Sequence, residues 1–272
     1  MVEILSIVEF SGATPKGETK PWKATCEAAD GLLVEVALKA AGHATLGVKA
    51  LAMEWGLANL AGDLGLPICK PHLVRLDADS LAELPDKAWA AKALAGNPIA
   101  FGSVYAGSGD RAGFSEWTQG YEPKGPWLNQ AWHTAAFDAW TDNPDRKPSN
   151  ANCLVRGQEF RIIDHEKCFP TLVGLVLFGK AAMKPWQTGG AEAVLGGTNH
   201  IFSRHLRAKP MPRQAITDAW IGLPKDLASM YGSGLPPEWA DAQPVIQSIA
   251  TAVADIQTNI DGCLDELQRC LS

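Results

Sequence analysis

The chain contains no run of about eighteen apolar residues, so no segment reads as a membrane span. It has no basic surplus: 24 Lys and Arg stand against 30 Asp and Glu, a formal charge of −6. That balance argues against general nucleic-acid binding. The first ten residues, MVEILSIVEF, lack a basic region ahead of their apolar positions and carry Glu3 and Glu9, so they read as a strand and not as a leader. None of the six cysteines forms a Cys-x-x-Cys pair. Zinc and a disulfide framework are disfavoured, and the expectation is reduced thiols filling core positions of a cytoplasmic protein. Several catalytic signatures are missing as well. There is no G-x-S-x-G, and His165-Glu166 lacks the second histidine of a zinc protease. Gly12-x4-Gly17 continues with Glu18-Thr19 where a phosphate loop requires lysine.

What is present is enough chain, 272 residues, for one large domain or two lobes sharing a cleft. The first hundred residues read as strands at 3–10, 22–27, 32–40, 70–76 and 98–105. The turn Ala29-Asp30-Gly31 joins the second and third. A helix over 45–64 follows from Leu46, Ala50, Met53, Leu57, Leu60 and Leu64, and it stops at Gly65-Leu66-Pro67. Residues 79–95 look helical and alanine-rich. Beyond about residue 106 helices dominate, with 129–140 helical, 172–180 a buried element and one long amphipathic helix expected from Pro244 to the end. The division expected is 1–98, a mainly antiparallel sheet with one inserted helix, and 99–272, a helical half.

The densest chemistry lies at 142–169, DNPDRKPSNANCLVRGQEFRIIDHEKCF. Two short strands joined by Arg156-Gly157-Gln158 would gather Asp145, Asn150, Asn152 and Asp164 at one end of a hairpin. Carboxylates and amides of this kind suit a hard cation such as Mg²⁺ and the phosphate that accompanies it. Asp-x4-Asn, then a strand ending Ile-Asp, is the spacing of a kinase catalytic and metal-binding loop. Asn143, Pro144 and Asp145 alone would be ordinary turn residues; Asn150 and Asp164 lift them above that. Asn150 and Asn152 compete for one metal-binding role, and Asn150 is favoured by its spacing. Asp164 follows two buried isoleucines, where a charge needs a partner.

Upstream, Val36-Ala37-Leu38-Lys39 matches the V-A-I-K strand of kinases with one conservative change. Glu54 borders the apolar stripe of the next helix, where a carboxylate needs a cation or water. Lys39, fifteen residues earlier, is the candidate partner, and the pair would hold α- and β-phosphates. The loop 11–21 is expected either to cover phosphate, through Lys16, Lys20 or Lys23, or to be a plain surface loop. His133, His200 and His205 read as core or surface histidines.

Together VALK, Glu54, LGLP at 64–67, FGS at 101–103, AFDAWTDNPDRKPSNANCLV at 136–155 and IIDHEKCF at 162–169 resemble the HipA-like kinases. These belong to the protein-kinase-like superfamily that also holds the phosphatidylinositol kinases. The resemblance implies an α+β, two-lobed protein-kinase-like fold and an ATP- and Mg²⁺-dependent transfer of the γ-phosphate to a hydroxyl. The acceptor would be a serine or threonine of a protein or of the chain itself. A lipid or small-molecule kinase, an AMP transferase and a catalytically weak pseudokinase scaffold are the rivals. Asp145 would be the catalytic base, with Asn150 or Asn152 and Asp164 holding Mg²⁺. Lys39 with Glu54 would hold phosphates, and Ile99, Phe101 and Ser103 would lie against adenine. The chain departs from the pattern at Glu166, where many kinases have glycine, and in having no G-x-G-x-x-G loop.

Overall fold

The computed structural model describes residues 2–14, 21–106, 113–169 and 183–272. Lys16 and Lys20 of the amino-terminal loop, and the apolar segment 172–180, lie outside the described residues. Buried residues set among half-buried and exposed ones build the strands β1 (Ile4–Ala13), β2 (Trp22–Glu27) and β3 (Leu33–Lys39). Gly31, at φ 81°, makes the turn between the last two. Next come α1 (Val48–Asp63), β4 (Pro71–Arg75), α2 (Ala78–Ala82), α3 (Lys87–Gly96) and β5 (Ile99–Val104).

These five strands close into a barrel in the order β1-β2-β3-β5-β4. Four of the five barrel pairs are antiparallel, in line with the expected mainly antiparallel sheet, and β1 with β4 is parallel. The crossover through α1 brings β4 back alongside β1 in the same direction, as a parallel pair requires. Nor is α1 alone. The helical stretch expected at 79–95 is two helices, each with its own acidic cap: Asp77 accepts from the Ser80 amide at 2.7 Å and Asp86 from the Trp89 amide at 2.9 Å. Pro85 lies between them and breaks the continuity. β5 begins just past the expected boundary at residue 98, yet it pairs with both β3 and β4 inside the barrel.

The later chain is mainly helical. It adds a small sheet of β6 (Ser115–Glu116), β7 (Cys153–Arg156) and β8 (Glu159–Ile162), together with α4 (Pro126–Trp140). Short helices α5 (Glu192–Leu195), α6 (Ser203–Leu206), α7 (Arg213–Ile221) and α8 (Leu227–Gly232) precede α9 (Gln243–Thr258) and α10 (Ile260–Leu271). The expectation of one continuous carboxy-terminal helix is thus corrected. Asn259 leaves helical geometry, at φ −114° and ψ 26°, and its side-chain amide donates to the Asp255 carbonyl at 2.8 Å. Asparagine competes with the backbone in this way, and the break turns the stripes Ile246–Ile256 and Leu264–Leu271 onto one core. The chain is a mixed α/β protein.

Two cores result. One packs Trp22, Val36, Leu38 and Ala100 against Leu81, Trp89 and Ala93. The larger unites Leu73, Ile99 and Phe101 of the barrel with α1, α4, the β7–β8 hairpin and the carboxy-terminal helices. Because ladder partners share a face, Lys39 opposite Phe101 lies on the side of this larger core. The next row, Lys23, Ala37 and Ser103, is on that side too, and all three are half-buried.

Candidate active site

Helix α1 stops where its sequence demands. Gly65 takes φ 71°, and the Leu66 amide donates back to the Ala61 carbonyl at 2.9 Å, a glycine stop that satisfies the last turn. Every residue of α1 from Ala50 to Ala58 is buried, and Glu54, 3% exposed, is among them. A carboxylate in such a place requires a charged or hydrogen-bonding partner. Glu54 has two. The Lys39 ammonium lies 3.4 Å from its Oε2, and the same oxygen accepts the His165 backbone N–H at 2.7 Å. The lysine reaches further, to Asp164 Oδ1 at 2.9 Å and Glu166 Oε2 at 3.4 Å.

Asp164 owes its place to the hairpin. Gly157, at φ 58°, turns the chain so that Arg156 faces Glu159 and Cys153 faces Ile162. The Ile163 amide then donates to the Asn152 carbonyl at 3.0 Å. Asn152 and Asp164 flank that last bond, and both are left-handed, at φ 44° and 62°. Asn and Asp tolerate this conformation better than most residues, at a cost of about 1–3 kcal/mol each.

Asp145 forms the other half. It is 6% exposed. The Asn150 amide donates to its Oδ2 at 2.9 Å, and the Asn152 amide lies 3.3 Å from the same oxygen. Both rival asparagines therefore meet the aspartate. Lys167 Nζ is 3.3 Å from that Oδ2, and Lys147 Nζ is 3.9 Å from Oδ1. Of the adenine-facing set, Ser103 stands in the half-buried row beside Lys39. Ile99 and Phe101 share its face but lie in the larger core, 0% and 1% exposed, because α1 covers that end of β5. They offer a ligand almost no surface. Lys23, on β2 and not in the loop, sits over the Tyr105 ring, 5.4 Å from its centre.

A buried network fixes the loop between the two halves. Asp138 of α4 takes Arg146 Nε at 2.6 Å, Asn143 Nδ2 at 2.6 Å and His200 Nε2 at 2.9 Å. Asn143 in turn accepts the Asp145 amide at 3.1 Å. Arg146 also donates to the carbonyls of Asn152 and Ile163, so one guanidinium ties the loop of Asp145 to the strand end before Asp164. Sequence reasoning missed Asp138 and left His200 unassigned. The available signal was a lone carboxylate inside the apolar run AAFDAW, which burial obliges to pair.

Charge follows from this geometry. Burial alone would discharge Lys39, but Asp164, Glu54 and Glu166 hold its pKa well above the usual value. Burial pushes Glu54 up to about 7; Lys39 opposes the rise while Asp164 and Glu166 reinforce it. Glu166 is raised in the same way, whereas Lys39 overcomes burial at Asp164 and lowers it. Burial and Arg146 bring His165 down to about 3, so its ring is neutral at pH 7. Asp138 falls to about 2 despite its burial, through Arg146 and His200.

Three carboxylates thus surround one ammonium. Oxygens of Glu54, Asp164 and Glu166 lie within 4.8 Å of one another, a hard-oxygen set whose excess negative charge suits a divalent cation such as Mg²⁺. A family model described as HipA-like kinase matches residues 7–174, well over half of the chain. The chain belongs to that family. As a HipA-like kinase it is a phosphotransferase, and the matched span contains Lys39, Glu54, Asp145 and Asp164. The chain is similar to the crystal structure of a Helicobacter pylori proinflammatory kinase, CtkA, at a TM-score of 0.47 and 10% identity, covering 99% of this chain and 100% of that one. No curated protein sequence matches this HipA-like kinase. No helix among its described residues is long and apolar enough to cross a membrane.

Proposed function

We propose that the chain is a two-lobed, serine/threonine-type kinase that uses ATP and Mg²⁺, with the barrel, β5 included, and the helical region that follows it facing each other across a nucleotide cleft. The observation that carries this reading is the placement of Lys39. One ammonium from β3 lies within ion-pair distance of Glu54 on α1 and of Asp164 after β8, joining segments 125 residues apart.

In this reading Lys39, steadied by Glu54, binds the α- and β-phosphates of ATP. The half-buried row of Ala37 and Ser103 would lie against adenine, with Ile99 and Phe101 supporting it from the core. Asp145 accepts the proton of the acceptor hydroxyl as that oxygen bonds to the γ-phosphorus and ADP departs. Asn150 is oriented by its bond to Asp145, which leaves its carbonyl oxygen for a ligand; it and Asp164, with Asn152 as the alternative amide, would hold Mg²⁺. When bound, the ion would offset charge on the phosphates and on the carboxylate cluster. Asp138 and Arg146 keep Asp145 in register and are positioning residues. The six cysteines are free and buried, which suits the reducing cytoplasm.

The test is incubation with Mg²⁺ and γ-labelled ATP, alone and with protein acceptors, beside Asp145→Ala and Asp164→Asn. Wild type should transfer label, and each variant should lose about 10²–10⁴-fold in rate. Equal transfer by the Asp145→Ala variant would defeat the assignment of the base. Nucleotide binding with no transfer to any acceptor would instead mark a scaffold.

A further inference from the structure

The groups around Lys39 and those around Asp145 meet at one short turn. The Cys168 amide donates to the His165 carbonyl at 3.1 Å, which places Glu166 and Lys167 at the centre of four residues. The turn is pinned at both ends. Glu54 accepts the His165 amide at 2.7 Å, the Thr141 carbonyl accepts the Phe169 amide at 2.6 Å, and the His165 and Cys168 side chains are buried. From this fixed base the two central side chains reach in different directions. Glu166 goes to Lys39 at 3.4 Å, and Lys167 Nζ lies 3.3 Å from Oδ2 of the buried Asp145.

Lys167 therefore joins the proposed base to the segment that carries the proposed metal ligand. Its charge acts on that segment too, favouring the ionised forms of Asp164 and Glu166. A transferred γ-phosphate has to pass between a carboxylate that holds its metal and one that takes the acceptor's proton. Lys167 stands in that interval. The chain has no G-x-G-x-x-G loop to cover phosphates, and the lysines beside Asp145 are placed to supply positive charge there. Of the two, Lys147 is 3.9 Å from the other carboxylate oxygen with its side chain 49% exposed, whereas Lys167 is closer and 36% exposed. An ammonium has three donors, so one can turn to a phosphate oxygen while another keeps Asp145.

We propose that Lys167 is a further catalytic residue, whose ammonium holds the γ-phosphate and offsets its charge during transfer. The inference rests on the kinase reading. As the acceptor oxygen bonds to the γ-phosphorus, the bond to the bridging oxygen of ADP breaks and Asp145 takes the acceptor's proton; Lys167 keeps all of its own. The test is calorimetric titration of the protein, in Mg²⁺, with ADP and with the non-hydrolysable imido analogue of ATP. Lys167→Met should weaken binding of the analogue about tenfold or more and leave ADP within about twofold. Lys167→Arg should restore most of the loss. The loss should persist when Lys167→Met is made in an Asp145→Asn background. With γ-labelled ATP, Lys167→Met should lower kcat by about 10²–10³-fold. Unchanged binding of the analogue by Lys167→Met overturns the assignment and leaves the nucleotide cleft standing. Equal losses for ADP and the analogue would mark a structural role and overturn it as well. A loss that vanishes in the Asp145→Asn background would show that Lys167 only neutralises Asp145, and that too overturns the phosphate contact. Failure of the wild type to bind either nucleotide removes the kinase reading itself, and this inference with it.

Discussion

At the residue scale, the most consequential value is that of Glu54, pushed by burial to about 7. Above that pH it is a carboxylate holding Lys39; below it the proton neutralises the pair's anionic half. Nucleotide binding should therefore weaken as pH falls through 7, seen as a rising KM for ATP, while Glu54→Gln should show a poor but flat profile. A wild-type KM that stays level from pH 8 to 6 would contradict this. Lys39, Glu54 and Asp164 were legible in the sequence because their residue types and spacings are specific. Asp138 and His200 were not, since 62 residues separate them and neither stands in a motif. The charge network they share with Arg146 gives a second expectation. Asp138→Asn leaves a buried guanidinium without its counter-ion and should cost about 3–5 kcal/mol in urea unfolding. In wild type, Asp138 titrates at about 2 when folded against about 4 unfolded. Its contribution is thus complete above pH 4 and lost as pH falls through 2.

Elements were legible where the chain punctuates itself. The pattern placed β2 at its true bounds, and Gly65 gave the end of α1. The break at Asn259 was hidden because the apolar steps run across it without interruption, and only the packing of both stripes on one core requires the bend. Barrel closure was hidden for a different reason: pairing of β1 with β4 is a relation between distant strands that alternation does not encode. Small residues reveal another contact between elements. A Cβ at Gly42, just after β3, would collide with the Lys92 carbonyl of α3, and one at Gly96 would strike the Gly42 backbone. Because backbone rather than a flexible side chain is in the way, Gly42→Ala should destabilise by about 1–3 kcal/mol. An unchanged thermal midpoint would show that the two segments can part.

At the scale of the whole molecule, the larger core runs unbroken from Leu73 and Phe101 of the barrel through α1 to Leu264 and Leu267 of α10. Trp239 adds a polar tie, its indole N–H donating to the Ile99 carbonyl at 3.2 Å. A shared core predicts coupled unfolding. Leu57→Ala in α1 and Leu264→Ala in α10 should each cost about 2–5 kcal/mol and shift a single transition, the same by tryptophan fluorescence and by circular dichroism. Separate transitions for the two probes would show independent halves. Sequence spacing could suggest two regions but not this continuity, which depends on which faces meet.

The burial of α1 has a consequence for control. A helix that carries a phosphate-orienting glutamate can act as a gate only if it can swing outward. Here Gly56 is pressed against Ile246 and Ile249 of α9, and the flanking residues from Ala50 to Ala58 are covered on all sides. Moving it would tear apolar surface from the centre of the protein, at roughly 25 cal/mol for each Å² exposed. The helix is a fixed strut, so the Lys39–Glu54 pair proposed to hold phosphate stays formed. Amide exchange along α1 should accordingly be slow and change little when ATP is added, and any throttle on the enzyme must act on entry of the acceptor instead.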